Sequence, residues 1–118
     1  MKQWEIWKMN LDMDMESQTE IQMSEENFDF NYCIIITGQS FLDAFHAPTI
    51  LPISTNFRES YSVVSIEESK SVGLFCESFI ICDQILTVQK DVFIKKIGIV
   101  PEHLRSKIQN KIFNYLNE

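Results

Sequence analysis

At 118 residues, 45% of them hydrophobic and with only three glycines and three prolines, the chain has the make-up of one globular domain spanning 1–118, not of a disordered or fibrous sequence. Its net charge of -7 arises in the first half: residues 1–57 hold nine acids against Lys2 and Lys8, while residues 58–118 are balanced. An acidic first half repels phosphates. No apolar run approaches the roughly 20 residues of a membrane span and the start lacks the apolar core of a signal peptide, so a soluble, cytoplasmic protein without a membrane partner is expected.

In chain order, WEIWKMNL (residues 4–11) places Trp4, Ile6, Lys8 and Asn10 on one parity and Glu5, Trp7, Met9 and Leu11 on the other, a strand with one mixed edge. Between Asp12 and Asp29 seven acids are interspersed with Ser, Gln, Thr, Asn and Met, which reads as a long mobile loop. YCIIIT (32–37) is a short β-branched run ended by Gly38, hence a buried strand. A short helix fits QSFLDAFHA (39–47). PTILPIST (48–55) is strand-like, but Pro52 cannot donate a ladder hydrogen bond and implies an edge or a bulge. SYSVVSIEE (60–68) alternates in part, and VGLFCESFIICDQILTV supplies two more strand-like pieces, making five or six short strands in all.

The chain then changes character. Pro101 and Glu102 suit a first helical turn, and Leu104, Ile108, Ile112 and Leu116 recur every four residues, giving one amphipathic helix. Strands first and a closing helix predict an α+β fold, a curved, mostly antiparallel sheet or small barrel with helices packed on it. Cys33, Cys76 and Cys82 lie in or beside apolar runs without the close pairing of a zinc site, and read as three reduced core cysteines. In FIICDQILTVQK (79–90), Asp83 and Gln84 interrupt an apolar run. A carboxylate there either caps a backbone feature, accepting N–H bonds with Gln84 as its companion, or stands at the wall of a polar site.

The order of WEIWKMNLD, CIIIT, TILPIST, CDQILTV, KKIG and the terminal helix resembles the MazF/PemK toxins of bacterial toxin–antitoxin pairs over residues 4 to about 116. The resemblance implies a small SH3-like barrel with a C-terminal helix, a homodimer, a cognate antitoxin partner, and sequence-selective, metal-independent cleavage of single-stranded RNA, with no cofactor. Such cleavage uses the ribose 2′-OH as nucleophile. It needs a base, an acid, and donors or cations for the charge on the phosphorane. Ser54 matches the family's hydroxyl position. At the family's Arg-Pro position stand Asn31 and Tyr32, and where an Arg usually follows Asp-Gln-Ile stands Leu86. Asn31 can donate hydrogen bonds but carries no charge.

The candidate catalytic residues are therefore Ser54, Asn31 and His46, the last set against a capping role, and the candidate RNA contacts are Asp83, Gln84 and Arg58. Three readings stand side by side: an active ribonuclease with a site rebuilt around Ser54, His46 and Arg58; a MazF-like fold that has lost catalysis and binds a protein; and a structural dimer.

Overall fold

A computed structural model of the chain describes residues 1–10, 31–44, 47–56 and 62–117. The acidic stretch from Asp12 to Asp29, His46 and Arg58 lie outside the described residues. Seven strands form one antiparallel sheet: β1 (Glu5–Met9), β2 (Tyr32–Ile35), β3 (Thr49–Ser54), β4 (Val63–Ile66), β5 (Ser78–Ile81), β6 (Leu86–Thr87) and β7 (Phe93–Ile99). Helix α1 (Gln39–Ala44) links β2 to β3, and α2 (Glu102–Asn117) follows β7. The strands run β4-β5-β3-β2-β1-β7, with β6 also on β3. The class is α+β, as expected, but with seven strands and not five or six. The additional one, β7, hides in the sequence because its ladder with β1 slips between Ile6 and Trp7 and again between Lys8 and Met9, and each slip scrambles the period-two pattern.

Both faces of the sheet centre are covered, which is why β2 and β3 read as unbroken apolar runs. Ile6, Ile34, Leu51 and Ile53 pack into one cluster with Leu104 and Ile108 of α2. Their chain neighbours Cys33, Ile35 and Ile50 turn to the opposite face and pack with Leu42 of α1. Each fully buried Ile contributes about 1.5–3 kcal/mol by leaving water. Cys33 and Cys82 are core residues as expected, but Cys76 is exposed, because it lies in the connection before β5 and not in a strand.

Pro52 marks a break in the ladder. The Ile36 N–H donates to the Thr49 carbonyl at 3.0 Å, so by alternation the odd residues of β3 bond to β2 and the backbone nitrogen of Pro52 faces the other way. On that side β3 pairs with β5 at Ile53 and Ser54 and with β6 at Thr49 and Ile50. Only Leu51 and Pro52 lie opposite the whole stretch from Ile81 to Ile85, so that chain bulges out where proline has no N–H to offer.

Helix α2 opens as predicted, and the Arg105 guanidinium anchors its start with bonds of 3.1 and 2.9 Å to the Val100 carbonyl while lying 5.9 Å from the centre of the Trp4 ring. Trp4 itself is held at φ 75°, costly for a bulky residue, by an N–H bond to the Ile35 carbonyl and a carbonyl bond from the Val100 N–H. The apolar stripe is used only in part: Leu104 and Ile108 are buried, whereas Phe113 and Leu116 are 64% and 65% exposed. A 16-residue helix is about 24 Å long and outruns β4, whose four residues span about 13 Å.

Among the described residues the end strands β4 and β7 do not pair, so the sheet is not closed by hydrogen bonds. The segment after β4 crosses the opening instead. The Ile99 N–H donates to the Ser71 carbonyl at 2.9 Å. Gly73, at φ +82°, and Gly98 let the two backbones touch: a Cβ on Gly73 would sit 2.0 Å from the Ile97 carbonyl oxygen, and one on Gly98 2.0 Å from that of Val72.

Candidate functional site

Asn31 and Ser54 meet at one end of the sheet. The β2–β3 register pairs Tyr32 with Ile53, which brings Asn31, just before β2, across from Ser54, the last residue of β3. Asn31 is exposed and its carbonyl is fixed by the Met9 N–H at 2.8 Å. Ser54 is different. It is fully buried, and its hydroxyl accepts the Asn56 N–H at 3.0 Å while donating to the Asn56 carbonyl at 3.3 Å. That turn consumes its donor and one acceptor position, so the hydroxyl as placed closes the strand end and does not face a substrate.

Asp83 and Gln84 do not join this pair. They sit in the bulge beside Leu51 and Pro52, on the opposite side of β3 from β2, so two strand spacings, about 10 Å, separate them from the line of β2. Both are half-buried. The Gln84 N–H reaches the Ile81 carbonyl at 3.5 Å, a loose turn. Of the two readings of Asp83, the buried network with Gln84 is not formed, because the bulge carries Asp83 off the ladder to partial exposure, and among the described residues no hydrogen bond joins the two side chains. The apolar run is interrupted here because a bulge needs residues that tolerate water.

The buried carboxylate is Glu5, only 5% exposed. Its Oε1 accepts the Lys2 N–H and the Trp7 indole N–H, both at 2.9 Å, and its Oε2 pairs with Lys96 at 3.2 Å. Burial by itself would push this carboxyl up. The bonds from Lys2, Trp7 and Lys96 outweigh it and hold the group below its usual value. Trp7 is pinned in turn by an edge-on contact with Phe93, 5.7 Å between ring centres. The one sequence signal for this cluster was Glu5 and Trp7 sharing a parity on β1.

Two cations at the Asn31 end escape a sequence reading altogether. Lys8 pairs across β1 with Tyr32 on one side and with Lys95 on the other. Both lysines are exposed. Like charges directly opposite each other on neighbouring strands repel, so the pair is unfavourable until an anion lies between or above it. Its neighbour Lys96 is already engaged by Glu5. No local pattern in the sequence shows that Lys8 and Lys95, from opposite ends of the chain, become neighbours.

This end of the sheet offers donors to an anion on both faces, Lys8 and Lys95 side by side on one and Asn31, one register position on, toward the other. Thiol chemistry has no support from the buried cysteines, since burial pushes the thiols of Cys33 and Cys82 up to about 12. Among the described residues no group of three or more His, Cys, Asp or Glu is placed to hold a metal ion.

The comparisons agree with this architecture. A family model of PemK-like, MazF-like toxins of type II toxin–antitoxin systems matches residues 2–116. The chain belongs to that family. Solved structures similar to it include an endoribonuclease in complex with its cognate antitoxin from a mycobacterial species, at 14% identity and TM-score 0.73, covering 99% of this chain and 95% of that one. Another is the Mycobacterium tuberculosis toxin MazF-mt6, at 18% identity and TM-score 0.72, covering 96% of each chain. A MazE–MazF complex from Deinococcus radiodurans aligns at 8% identity and TM-score 0.69, over 98% of this chain and 94% of that one. No curated protein matches. At these identities the structural likeness establishes the MazF-like fold alone. Among the described residues of this MazF-like chain, no helix is long and apolar enough to cross a membrane.

Proposed function

We propose that the chain is the toxin of a toxin–antitoxin pair, a cytoplasmic, homodimeric, single-domain endoribonuclease that cuts single-stranded RNA through its 2′-OH without a metal. The observation that carries this reading is the placing of Asn31, where the family has its Arg, one register position from the adjoining Lys8 and Lys95 at the end of a MazF-like sheet. Lys8 and Lys95 take up, on one face of that end, the charge that one guanidinium would carry, and the Asn31 amide adds a donor at the strand end. In this scheme Ser54 supplies the hydroxyl once the Asn56 turn opens, and His46 moves the proton. Asp83, Gln84 and Arg58 contact flanking nucleotides. An antitoxin partner fits the family and the complexes among its structural neighbours.

A second reading has its own observation. The buried, turn-locked Ser54, together with Asn31 in place of Arg and Leu86 in place of a second Arg, favours a MazF-like fold that no longer cleaves and grips a protein.

Binding and cleavage of a fluorescent single-stranded RNA separate the two. The Lys8→Gln, Lys95→Gln double variant should weaken RNA binding and flatten the slope of log affinity against log salt by about 1.4, two single-strand phosphate contacts. Asn31→Arg with Tyr32→Pro should raise cleavage, by up to about a hundredfold if one donor to the phosphorane is restored. If neither the unmodified nor the Arg-restored protein binds or cuts RNA, the protein-binding reading replaces the nuclease one.

A further inference from the structure

The cross-strand row that holds Lys8 and Lys95 extends further across the sheet. Lys95 of β7 faces Lys8 of β1, Lys8 faces Tyr32 of β2, Tyr32 faces Ile53 of β3, and Ile53 and Val64 both face Ile80 of β5. Residues directly opposite one another on neighbouring strands project from the same face of the sheet. Ile53, Ile80 and Val64 are buried in the cluster that includes Leu104 and Ile108 of α2, Tyr32 is half-buried and packs against that cluster, and the two lysines are exposed. The row therefore runs from dry core to open charge, and Tyr32 stands at the boundary.

The other residue that β2 places on this face, Ile34, is fully buried, whereas Tyr32 opens the strand and keeps part of its ring in water. Its aromatic face is peculiar to this chain, since the family pattern has Pro at this position. Trp7, by contrast, belongs to the opposite face and is already committed, its indole N–H to Glu5 and its ring to Phe93. The row holds no acid. An aromatic ring one strand spacing, about 4.8 Å, from a pair of exposed lysines is the combination that holds single-stranded nucleic acid, with cations on the phosphate and the ring against a base. Resting on the RNA-binding reading above, we propose that Tyr32 stacks on a base of the RNA while Lys8 and Lys95 hold that nucleotide's phosphate. The nucleotide lies across the strands, phosphate over β7 and β1 and base over β2. Every base has a π face, so the contact adds affinity without choosing a sequence. Tyr32→Pro in the Arg-restored protein removes this contact, so the gain in cleavage expected there is to be read at saturating RNA.

The test is fluorescence anisotropy of the full chain with a short labelled 2′-O-methyl RNA, which cannot be cut through its 2′-OH, beside an abasic sugar–phosphate oligomer of the same length. The unmodified protein should bind the RNA about tenfold more tightly than the abasic oligomer, within the range that one base–aromatic stack is worth. Tyr32→Phe should bind the RNA as the unmodified protein does. Tyr32→Leu keeps an apolar side chain against the core but has no π face. It should lose about tenfold for the RNA and nothing for the abasic oligomer, with an unchanged slope of log affinity against log salt because the phosphate contacts remain. Equal binding of the two oligomers by the unmodified protein, a comparison that needs no variant to fold, would overturn the base contact and leave the RNA-binding reading standing. So would undiminished RNA binding by a folded Tyr32→Leu protein, or a loss shared by both oligomers. If neither oligomer binds the unmodified protein, the base contact and the reading it rests on fall together.

Discussion

Two acidic residues on the same sheet, Glu5 and Asp83, are treated in opposite ways. Asp83 interrupts an apolar run and invites the reading of a buried carboxylate, yet it is carried outward on a bulge. Glu5 stands in an unremarked strand between Trp4 and Ile6 and is the one sealed in, with three donors around its two oxygens. The lesson is that the cost of burying a charge is decided by how many donors the fold brings to it, and those donors can come from anywhere in the chain. Lys2 and Trp7 are local to Glu5, but Lys96 reaches it only because β1 and β7 pair.

The contrast can be broken by mutation. Glu5→Ala should cost about 3 kcal/mol of unfolding free energy, measured by urea denaturation, since it leaves two N–H groups and the half-exposed Lys96 without their acceptor. A loss below about 1 kcal/mol would show that water replaces the carboxylate freely. Acid should reveal the same group more gently. The folded Glu5 carboxyl lies below its ordinary value of 4.5, so its contribution is complete above that pH and is lost as pH falls from 4.5 through the lower folded value. The Glu5→Gln protein should therefore show a shallower decline of stability below pH 4.5 than the unmodified protein; parallel curves would remove Glu5 from the acid response. The smallest effect is expected at the other residue: Asp83→Asn should change stability by less than about 0.5 kcal/mol, as for a half-exposed position off the ladder, and a larger loss would place a hidden partner at the bulge.

Much of the fold was legible because β2 and β3 are dense in Ile and lie between covered faces, and because Pro101 and the fourfold spacing from Leu104 announce α2. The bulge at Pro52 was legible too, since proline's missing donor has only a few places to go. What escaped depends on pairing between distant segments. The strand β7 was masked by two ladder slips, Cys76 was judged by apolar neighbours that lie in a connection, and the Lys8–Lys95 pair exists only through register. At the candidate site, Asn31 and Ser54 were grouped on resemblance and stand at opposing register positions, but the bonds that tie the Ser54 hydroxyl to Asn56, two residues on, form a local turn that an alternating pattern does not encode.

The position of β1 also bears on how the molecule comes into being. β1 precedes the other described strands in the chain, yet it lies inside the sheet with β7 as one of its two neighbours. Closing so long a loop is among the slower steps of folding, and on the ribosome it cannot begin until β7 has emerged. Until then Glu5 lacks Lys96, Trp7 lacks Phe93 and Lys8 has no Lys95 beside it. The basic end of the sheet therefore exists only once β7 has docked beside β1, and a product interrupted before β7 lacks it altogether.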